Sequence, residues 1–167
     1  MTPLARRAMI VLSFMALWVT AGGSHAQIVP YKASGTGVYT PSKGDYSGQG
    51  VATHMGRLTY VGNVAVFPTS NPLVFDFQST VDQETIGANG DKIFFSFSGQ
   101  VELIPLDGTH FTAVWSGEFV VEGGTGRFAN VGPADEPLQV VATNDPFTFA
   151  DPEWTYTWTV DGRIKLH

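Results

Sequence analysis

The chain contains no cysteine, and only 14% of its residues are charged. No disulfide can form, and lipid attachment through an N-terminal cysteine is excluded. After residue 26, no stretch sustains the i, i+3, i+4, i+7 apolar spacing of an amphipathic helix. The stability of the folded chain must therefore come from packing and from backbone hydrogen bonds.

The first 26 residues have the pattern of a secretory signal peptide. A basic MTPLARR precedes the apolar AMIVLSFMALWV, and TAGGSHA then ends with the small residues Ser24 and Ala26. The apolar run is shorter than the roughly 20 residues that a membrane-spanning helix needs. We expect cleavage between Ala26 and Gln27, no membrane span in the mature chain, and a location in the periplasm or outside the cell.

The remaining residues, 27–167, form an acidic chain. They number 141 and carry seven Lys and Arg against fifteen Asp and Glu, a formal charge of −8. A chain of this length is expected to form one domain with a core of its own. An acidic exported domain is a poor candidate for binding nucleic acids or anionic membranes.

Most of residues 27–167 are predicted to form strands, because Thr, Val and aromatic residues alternate with polar ones between Gly and Pro. LVFDFQSTVDQETIG places Leu73, Phe75, Phe77 and Val81 on one face, and KIFFSFSGQVELI follows after the turn ANGD. Asn-Gly favours the positive φ of a tight hairpin. GQGVATHMGRLTYVGNVAVF is predicted to be one long bent strand or two.

The predicted fold is all-β. Seven to nine strands with frequent turns fit either a sandwich or an antiparallel barrel. The regularly spaced glycines favour a single closed barrel of about eight strands, since closure requires strongly coiled strands and removes exposed edges.

The segment GGTGRFANVG, residues 123–132, could be a phosphate-binding loop or a corner of the fold. A phosphate loop needs a helix after the glycines, but Gly132 and Pro133 stop any helix within about one turn. We therefore predict a structural corner, with a short 3₁₀ turn that packs Phe128 onto the barrel. Gly123, Gly124 and Gly126 would allow the chain to reverse there.

GGTGRFANVG followed by a final strand with DGRI resembles the allene oxide cyclase barrel-like family. GQGVATHMGRLT and the ANGD turn are similar to small exported bacterial members, and the Gly-Gly-Thr-Gly corner also occurs in dirigent proteins, which share the barrel. The resemblance covers most of residues 31–166. It implies an eight-stranded barrel with a central cavity, frequently trimeric in the plant relatives. It transfers no catalytic residue, because the plant cyclases use a Glu and an Asn where this chain has YKASGTGVY.

Three residues are candidates for chemistry inside such a cavity. His54 is in phase with Gly50, Ala52, Gly56 and Leu58, which predicts either an acid or base at the cavity wall or a core histidine bonded to backbone. Tyr60 shares that face. Arg127 either reaches the mouth of the barrel or ties the corner to Glu118 or Glu122.

The other polar and aromatic candidates have structural interpretations as well. Glu102 and Glu118 are predicted to point outward, opposite the inward Phe and Trp residues. The stripe Trp154, Tyr156, Trp158 lines a cavity, fills the core or forms a subunit interface. His54, His110 and His167 lack the spacing of metal ligands, and no GxSxG elbow is present. We expect no metal and no cofactor.

Three functions remain open at this point. The first is an exported, non-catalytic barrel that binds a small hydrophobic molecule or serves as an interaction module. The second is a cyclase or isomerase that shapes a hydrophobic substrate inside the barrel. The third is a structural surface protein that assembles as an oligomer, a trimer by resemblance.

Overall fold

The computed structural model describes residues 26–167, and in this range the chain is all-β with no α-helix. The predicted signal peptide lies outside the described residues, except for Ala26. Within the described range, no helix is long and apolar enough to cross a membrane. The nine strands are β1 (Gln27–Thr40), β2 (Asp45–Ala52), β3 (Gly56–Pro68), β4 (Val74–Gly87), β5 (Lys92–Pro105), β6 (Phe111–Gly124), β7 (Gly132–Pro133), β8 (Leu138–Asn144) and β9 (Trp154–Leu166).

Eight of these strands close into an antiparallel barrel. Neighbours along the chain pair from β1 to β6, then β6 pairs with β8 and β8 with β9. The barrel closes where β9 pairs with β1 from Gln27↔Leu166 to Tyr39↔Trp154. The short β7 lies outside the barrel and pairs only with β9 among the described strands. The sequence prediction of a single closed barrel of about eight strands is confirmed.

The predicted hairpin is present as β4 and β5, and the turn Ala88–Asp91 joins them. On β5 every second residue points inward, since Ile93, Phe95, Val101 and Leu103 are buried. On β4 the prediction for Val81 is wrong, because 59% of this side chain is exposed. Pairing with β5 jumps from Gln78↔Ser98 to Gln83↔Phe95, so β4 contains two extra residues there. This β-bulge lifts Val81 out of the pairing with β5, and the same inward phase resumes at Gln83 because two extra residues preserve the alternation.

His54 is also misplaced by the sequence prediction. The glycine-rich segment forms two strands, β2 and β3, and Thr53–Met55 is the turn between them. His54 is exposed at this turn with a φ of 66°, so it is neither a core histidine nor part of a strand face. The Nε2 atom lies 3.1 Å from the carbonyl oxygen of Pro30, so the predicted bond to backbone does exist.

The glycine-rich segment after β6 forms a corner. Gly126–Phe128 is a single 3₁₀ turn, and the Phe128 side chain is only 2% exposed. Gly126 has a φ of 60°, and a Cβ there would collide with the Asp91 carboxylate of the β4–β5 turn. The same carboxylate lies 3.1 Å from Nε of Arg127. Arg127 therefore ties the corner to Asp91, and the predicted partners Glu118 and Glu122 are wrong.

The barrel has one tightly filled end, which we call the packed end. It is the end at which the corner and the β4–β5 turn lie, and its central side chains are at most 2% exposed: Ile93, Phe95, Phe128, Leu138 and Ile164. At the opposite end the β8–β9 loop folds inward, and Phe147 stacks on Trp154 at 3.8 Å between ring centroids. The space that remains inside the barrel lies between the packed end and the β8–β9 loop.

Candidate functional site

The barrel interior contains a cavity of about 60 Å³. Aromatic and aliphatic side chains form nearly all of its wall, with Gln83 as the one amide. The lining residues are Tyr39, Tyr46, Tyr60, Val64, Gln83, Phe97, Trp115, Phe119, Val140, Ala142, Tyr156 and Trp158. The cavity exceeds the space of a single water molecule, yet it is far below the roughly 300–1,000 Å³ of common ligand pockets.

Glycines of β1 and β2 create one side of this cavity. Strand pairing places Tyr156, Gly37, Gly48 and Tyr60 in one row across β9, β1, β2 and β3. The two tyrosines reach toward each other above the glycines, and a Cβ at Gly37 would collide with both hydroxyls. The motifs GTG and GQG are therefore required for the close approach of these side chains to the backbone.

The same arrangement recurs in the neighbouring rows. Trp158 lies over Gly35 and Gly50, since a Cβ on either glycine would come within 2.8 Å of Cζ2 of the indole. A Cβ at Gly62 would collide with the ring and hydroxyl of Tyr46. We call the glycines that these rings cover the glycine floor: Gly35, Gly37, Gly48, Gly50 and Gly62. Rigid planar rings leave space between them that flexible aliphatic side chains would fill.

The hydroxyls of Tyr60 and Tyr156 form a short hydrogen-bonded chain. Tyr60 donates to the carbonyl oxygen of Thr36 at 3.2 Å, and the two hydroxyls lie 3.0 Å apart. Because a carbonyl oxygen can only accept, Tyr60 uses its single proton on Thr36 and accepts the proton of Tyr156. Burial raises the pKa of Tyr60 to about 12 and raises the pKa of Tyr156 further. Both groups are neutral hydrogen-bond donors at physiological pH.

Two other polar groups of the cavity wall form no hydrogen bond of standard geometry with the described residues, although one of them, the Trp158 indole, lies close enough to the Tyr60 hydroxyl to lower its pKa. They are the hydroxyl of Tyr46 and the indole Nε1 of Trp158. Gln83 is 6% exposed and donates from Nε2 to Oγ1 of Thr85 at 3.0 Å. Burial also raises the pKa of Tyr46, so its hydroxyl keeps its proton. The Tyr46 hydroxyl and the Trp158 indole therefore keep donor capacity that standard hydrogen bonds in the described structure do not use.

The predicted aromatic stripe on β9 divides between two environments. Tyr156 and Trp158 line the cavity, whereas Trp154 is 8% exposed and does not. Trp154 packs against Phe147 and, at 5.7 Å between centroids, against Tyr39. Trp154 is thus part of the aromatic cluster that closes the barrel opposite the packed end, and it is not part of the cavity wall.

Of the three candidates for chemistry, only Tyr60 lies at the cavity. His54 is exposed at the β2–β3 turn, and Arg127 is exposed at the corner, where it also packs its guanidinium 5.0 Å from the centroid of the Phe128 ring. Glu102 and Glu118 are exposed on the outer face of the barrel, as the alternation predicts. None of the residues that line the cavity in the described part of the chain is a carboxylate, histidine, lysine or arginine.

A metal centre is not formed by the described residues, which contain no cluster of three or more His, Asp and Glu side chains. His110 lies in the β5–β6 turn, where Nδ1 is 2.9 Å from an Asp107 carboxylate oxygen. Backbone N–H groups of Thr109 and His110 bond to the same carboxylate and lower the pKa of Asp107. This histidine belongs to a turn.

Sequence reasoning missed Tyr39, Tyr46, Gln83, Phe97 and Trp115 as cavity residues. Four of them are aromatic residues in strands, which the alternation places inward without distinguishing a filled core from a cavity wall. Gln83 has the same phase as Phe77 on β4, so its inward position follows from the alternation as well. One signal was available, because glycines two residues apart on adjacent strands leave room for the aromatic rings of the strands beside them.

Comparison with known proteins gives no match. No protein-family model fits the chain, and no curated protein and no solved structure matches it. The resemblance to the allene oxide cyclase barrel-like family therefore remains a prediction from the motifs, and the function has to be argued from the cavity.

Proposed function

We propose that this barrel binds a small, mainly apolar molecule in its interior cavity and does not transform it. One observation carries the proposal: a cavity of about 60 Å³ with an aromatic and aliphatic wall remains inside an otherwise closely packed barrel. Cavities with a mainly apolar wall take up small apolar molecules. The volume limits the ligand to a few non-hydrogen atoms unless wall side chains move.

The lining residues support binding over catalysis. General acid–base chemistry needs a group whose pKa lies near the working pH. The cavity wall in the described part of the chain offers only tyrosines as titratable groups, and their pKa values are raised by burial. The cyclase alternative would have to rely on Tyr60 alone, since His54 and Arg127 lie outside the cavity.

Filling the cavity tests the proposal. Ala142 lines the cavity, and Val141 beside it on β8 is 46% exposed on the outer face. Ala142→Leu should place extra carbon atoms in the cavity, and Val141→Leu is the matched control. Val140→Ile, which adds one methylene to the wall, serves if Ala142→Leu fails to fold.

The readout is the rise in thermal midpoint on adding small hydrocarbons such as cyclopentane or benzene, because a ligand that binds only the folded state stabilises it. We expect a rise for the native protein and for Val141→Leu, and little or none for the filled variants. A rise that survives filling of the cavity would place binding elsewhere, and no rise at all would refute the proposal.

We also propose that the protein acts after export, as a member of the barrel family that its motifs resemble. The N-terminal pattern supports export, and the closed eight-stranded barrel is compatible with that family. Protein recovered from the periplasm or medium should begin at Gln27 when its N-terminus is sequenced. Retention of Met1 in the cell interior would refute export, and the elution volume on size exclusion would report whether the chain is a trimer.

A further inference from the structure

A second concave space lies on the outer face of the barrel, where β1 to β4 run side by side. This outer groove has a volume of about 600 Å³, against about 60 Å³ for the interior cavity. It falls within the roughly 300–1,000 Å³ of common ligand sites. No residue lines both spaces, so the groove is a site of its own.

Two rows of outward side chains form the outer groove. Strand register places four of them in one row across β1 to β4: Thr36, Gln49, Thr59 and Ile86. In the next row Val51 of β2 lies directly opposite Arg57 of β3, where facing Cβ atoms are about 5 Å apart. The groove therefore combines hydroxyl and amide groups with branched aliphatic side chains and one guanidinium.

Arg57 is the one charged residue among the described residues that line the groove. It forms no ion pair within residues 26–167. The acidic residues on either side of the β4 segment in the groove have partners of their own, since Glu84 pairs with Lys92 and Asp91 pairs with Arg127. The Arg57 guanidinium is therefore available to an anion from outside the chain.

The surroundings of Arg57 select the kind of anion. A guanidinium donates two parallel hydrogen bonds to a carboxylate, and it contributes a single positive charge. Residues 27–167 carry a formal charge of −8, which repels a doubly charged phosphate more strongly than a singly charged carboxylate. Val51 and Ile86 offer apolar surface in the same groove, which a fully polar anion would leave uncovered.

We propose that the outer groove binds a small organic acid in its carboxylate form. The Arg57 guanidinium binds the carboxylate, and Val51 and Ile86 contact the apolar part of the acid. The interior cavity takes no part in this site, so this proposal and the proposed interior binding can fail independently of each other.

A pair of isosteric probes tests the proposal. Benzoate and benzamide have nearly the same shape, but only benzoate is charged. Each is titrated into the protein at pH 7 while the backbone amide signals are followed by NMR. We expect benzoate to shift the signals of Val51, Arg57 and Thr59, and to bind about fivefold more tightly than benzamide, as one exposed ion pair allows.

Two sets of variants assign the effect to Arg57. Arg57→Gln should lower benzoate affinity about fivefold and leave benzamide affinity unchanged. Arg163→Gln is the matched control, because Arg163 is exposed on β9, outside the groove, and its loss changes the net charge equally. Val51→Glu places a carboxylate opposite Arg57, where it should compete with benzoate, and Val51→Gln is its uncharged counterpart. The Val51 pair answers the question if Arg57→Gln fails to fold.

Four outcomes would overturn the proposal. Equal affinities for the two probes would refute recognition of the carboxylate. An equal loss of benzoate affinity in Arg57→Gln and Arg163→Gln would show that the anion responds to net charge alone. Signal shifts confined to residues of the interior cavity would place the ligand inside the barrel. No shift at millimolar benzoate would leave the groove without this ligand class.

Discussion

The packed end and the cavity region of this barrel are built from the same alternation of inward and outward residues, yet only one of them is filled. At the packed end, Ile93, Leu138 and Ile164 are at most 1% exposed and belong to the same buried cluster as Phe95 and Phe128. In the cavity region, tyrosines and tryptophans lie over glycines and leave about 60 Å³ between them. Flexible aliphatic side chains fill space that rigid planar rings cannot.

The two regions also differ in their hydrogen-bonding demands. The central side chains of the packed end carry no polar atom, whereas every Tyr and Trp of the cavity region brings a donor that needs an acceptor. Tyr156 donates to Tyr60 and Tyr60 donates to the Thr36 carbonyl, whereas Tyr46 and Trp158 form no hydrogen bond of standard geometry in the described structure. The side chains of the packed end thus need no further partner, whereas the proposed binding function assigns a guest to the cavity region.

The largest expected effect is alkaline unfolding. Burial holds the pKa of Tyr31, Tyr46, Tyr60 and Tyr156 above the ordinary value of 10, to about 12 for Tyr60. Above pH 10 the unfolded chain releases protons that the folded chain retains, so the free energy of unfolding falls as pH rises. The loss is about 1.4 kcal/mol per pH unit for each tyrosine until its folded pKa is reached.

We therefore expect the barrel to unfold near pH 11, with circular dichroism and tyrosinate absorbance changing together. Tyr46→Phe removes one of these groups and should make the pH dependence less steep. Tyrosinate formation near pH 10 without loss of β-structure would contradict the burial of these hydroxyls.

A matched pair on β5 tests the difference in packing directly. Phe95 is 1% exposed at the packed end, and Phe97 lines the cavity two residues later. Phe95→Ala should cost about 3–5 kcal/mol in the free energy of unfolding. Phe97→Ala should cost at least about 1 kcal/mol less, because this ring already borders empty space and loses fewer contacts. Urea denaturation measures both, and equal costs would mean that the cavity is filled in solution.

A smaller effect is expected at the glycine floor. A methyl group at Gly37 would collide with the hydroxyls of Tyr60 and Tyr156, so Gly37→Ala should cost about 1–3 kcal/mol through displacement of these rings. Gly108 has open space around it, and Gly108→Ala should stay within about 0.5 kcal/mol of the native protein. If thermal denaturation shows Gly37→Ala to be as stable as the control, the rings do not rest on this floor.

The smallest effect separates two tyrosines of the same cavity. Tyr60→Phe removes the donor to Thr36 and the acceptor of Tyr156, and should cost about 1–2 kcal/mol. Tyr46→Phe removes a hydroxyl with no partner among the described residues and should leave stability unchanged or slightly raised. Chemical denaturation compares the two variants, and a larger loss for Tyr46→Phe would show that its hydroxyl is satisfied in the absence of any ligand.

The barrel could be predicted from the sequence because the local turn signals and the advantage of closing the sheet point to the same fold. The Asn-Gly turn defines the β4–β5 hairpin, and Gly126 in a left-handed conformation defines the corner. Prediction from the sequence failed where the alternation of inward and outward side chains is interrupted without a local signal. The bulge in β4 exposes Val81, and the turn at Thr53–Met55 removes His54 from a strand face.

The cavity itself could be predicted only in part. The alternation on β9 correctly predicts Tyr156 and Trp158 as candidates for the cavity wall. Trp154 in the same stripe instead packs against Phe147 at the end of the barrel. The distinction depends on what faces each ring across the barrel: glycines of adjacent strands in one case, and Phe147 from a distant loop in the other. Such long-range neighbours are fixed by strand register, which a single sequence does not reveal.

The most direct test of the account is a crystal of the protein exposed to xenon under pressure, since xenon enters apolar cavities of proteins. The account predicts one xenon site inside the barrel, in contact with Phe97, Trp115 and Phe119, and none at the packed end around Ile93 and Ile164. A barrel interior without xenon, in which side chains occupy this space, would contradict the cavity and with it the proposed binding function.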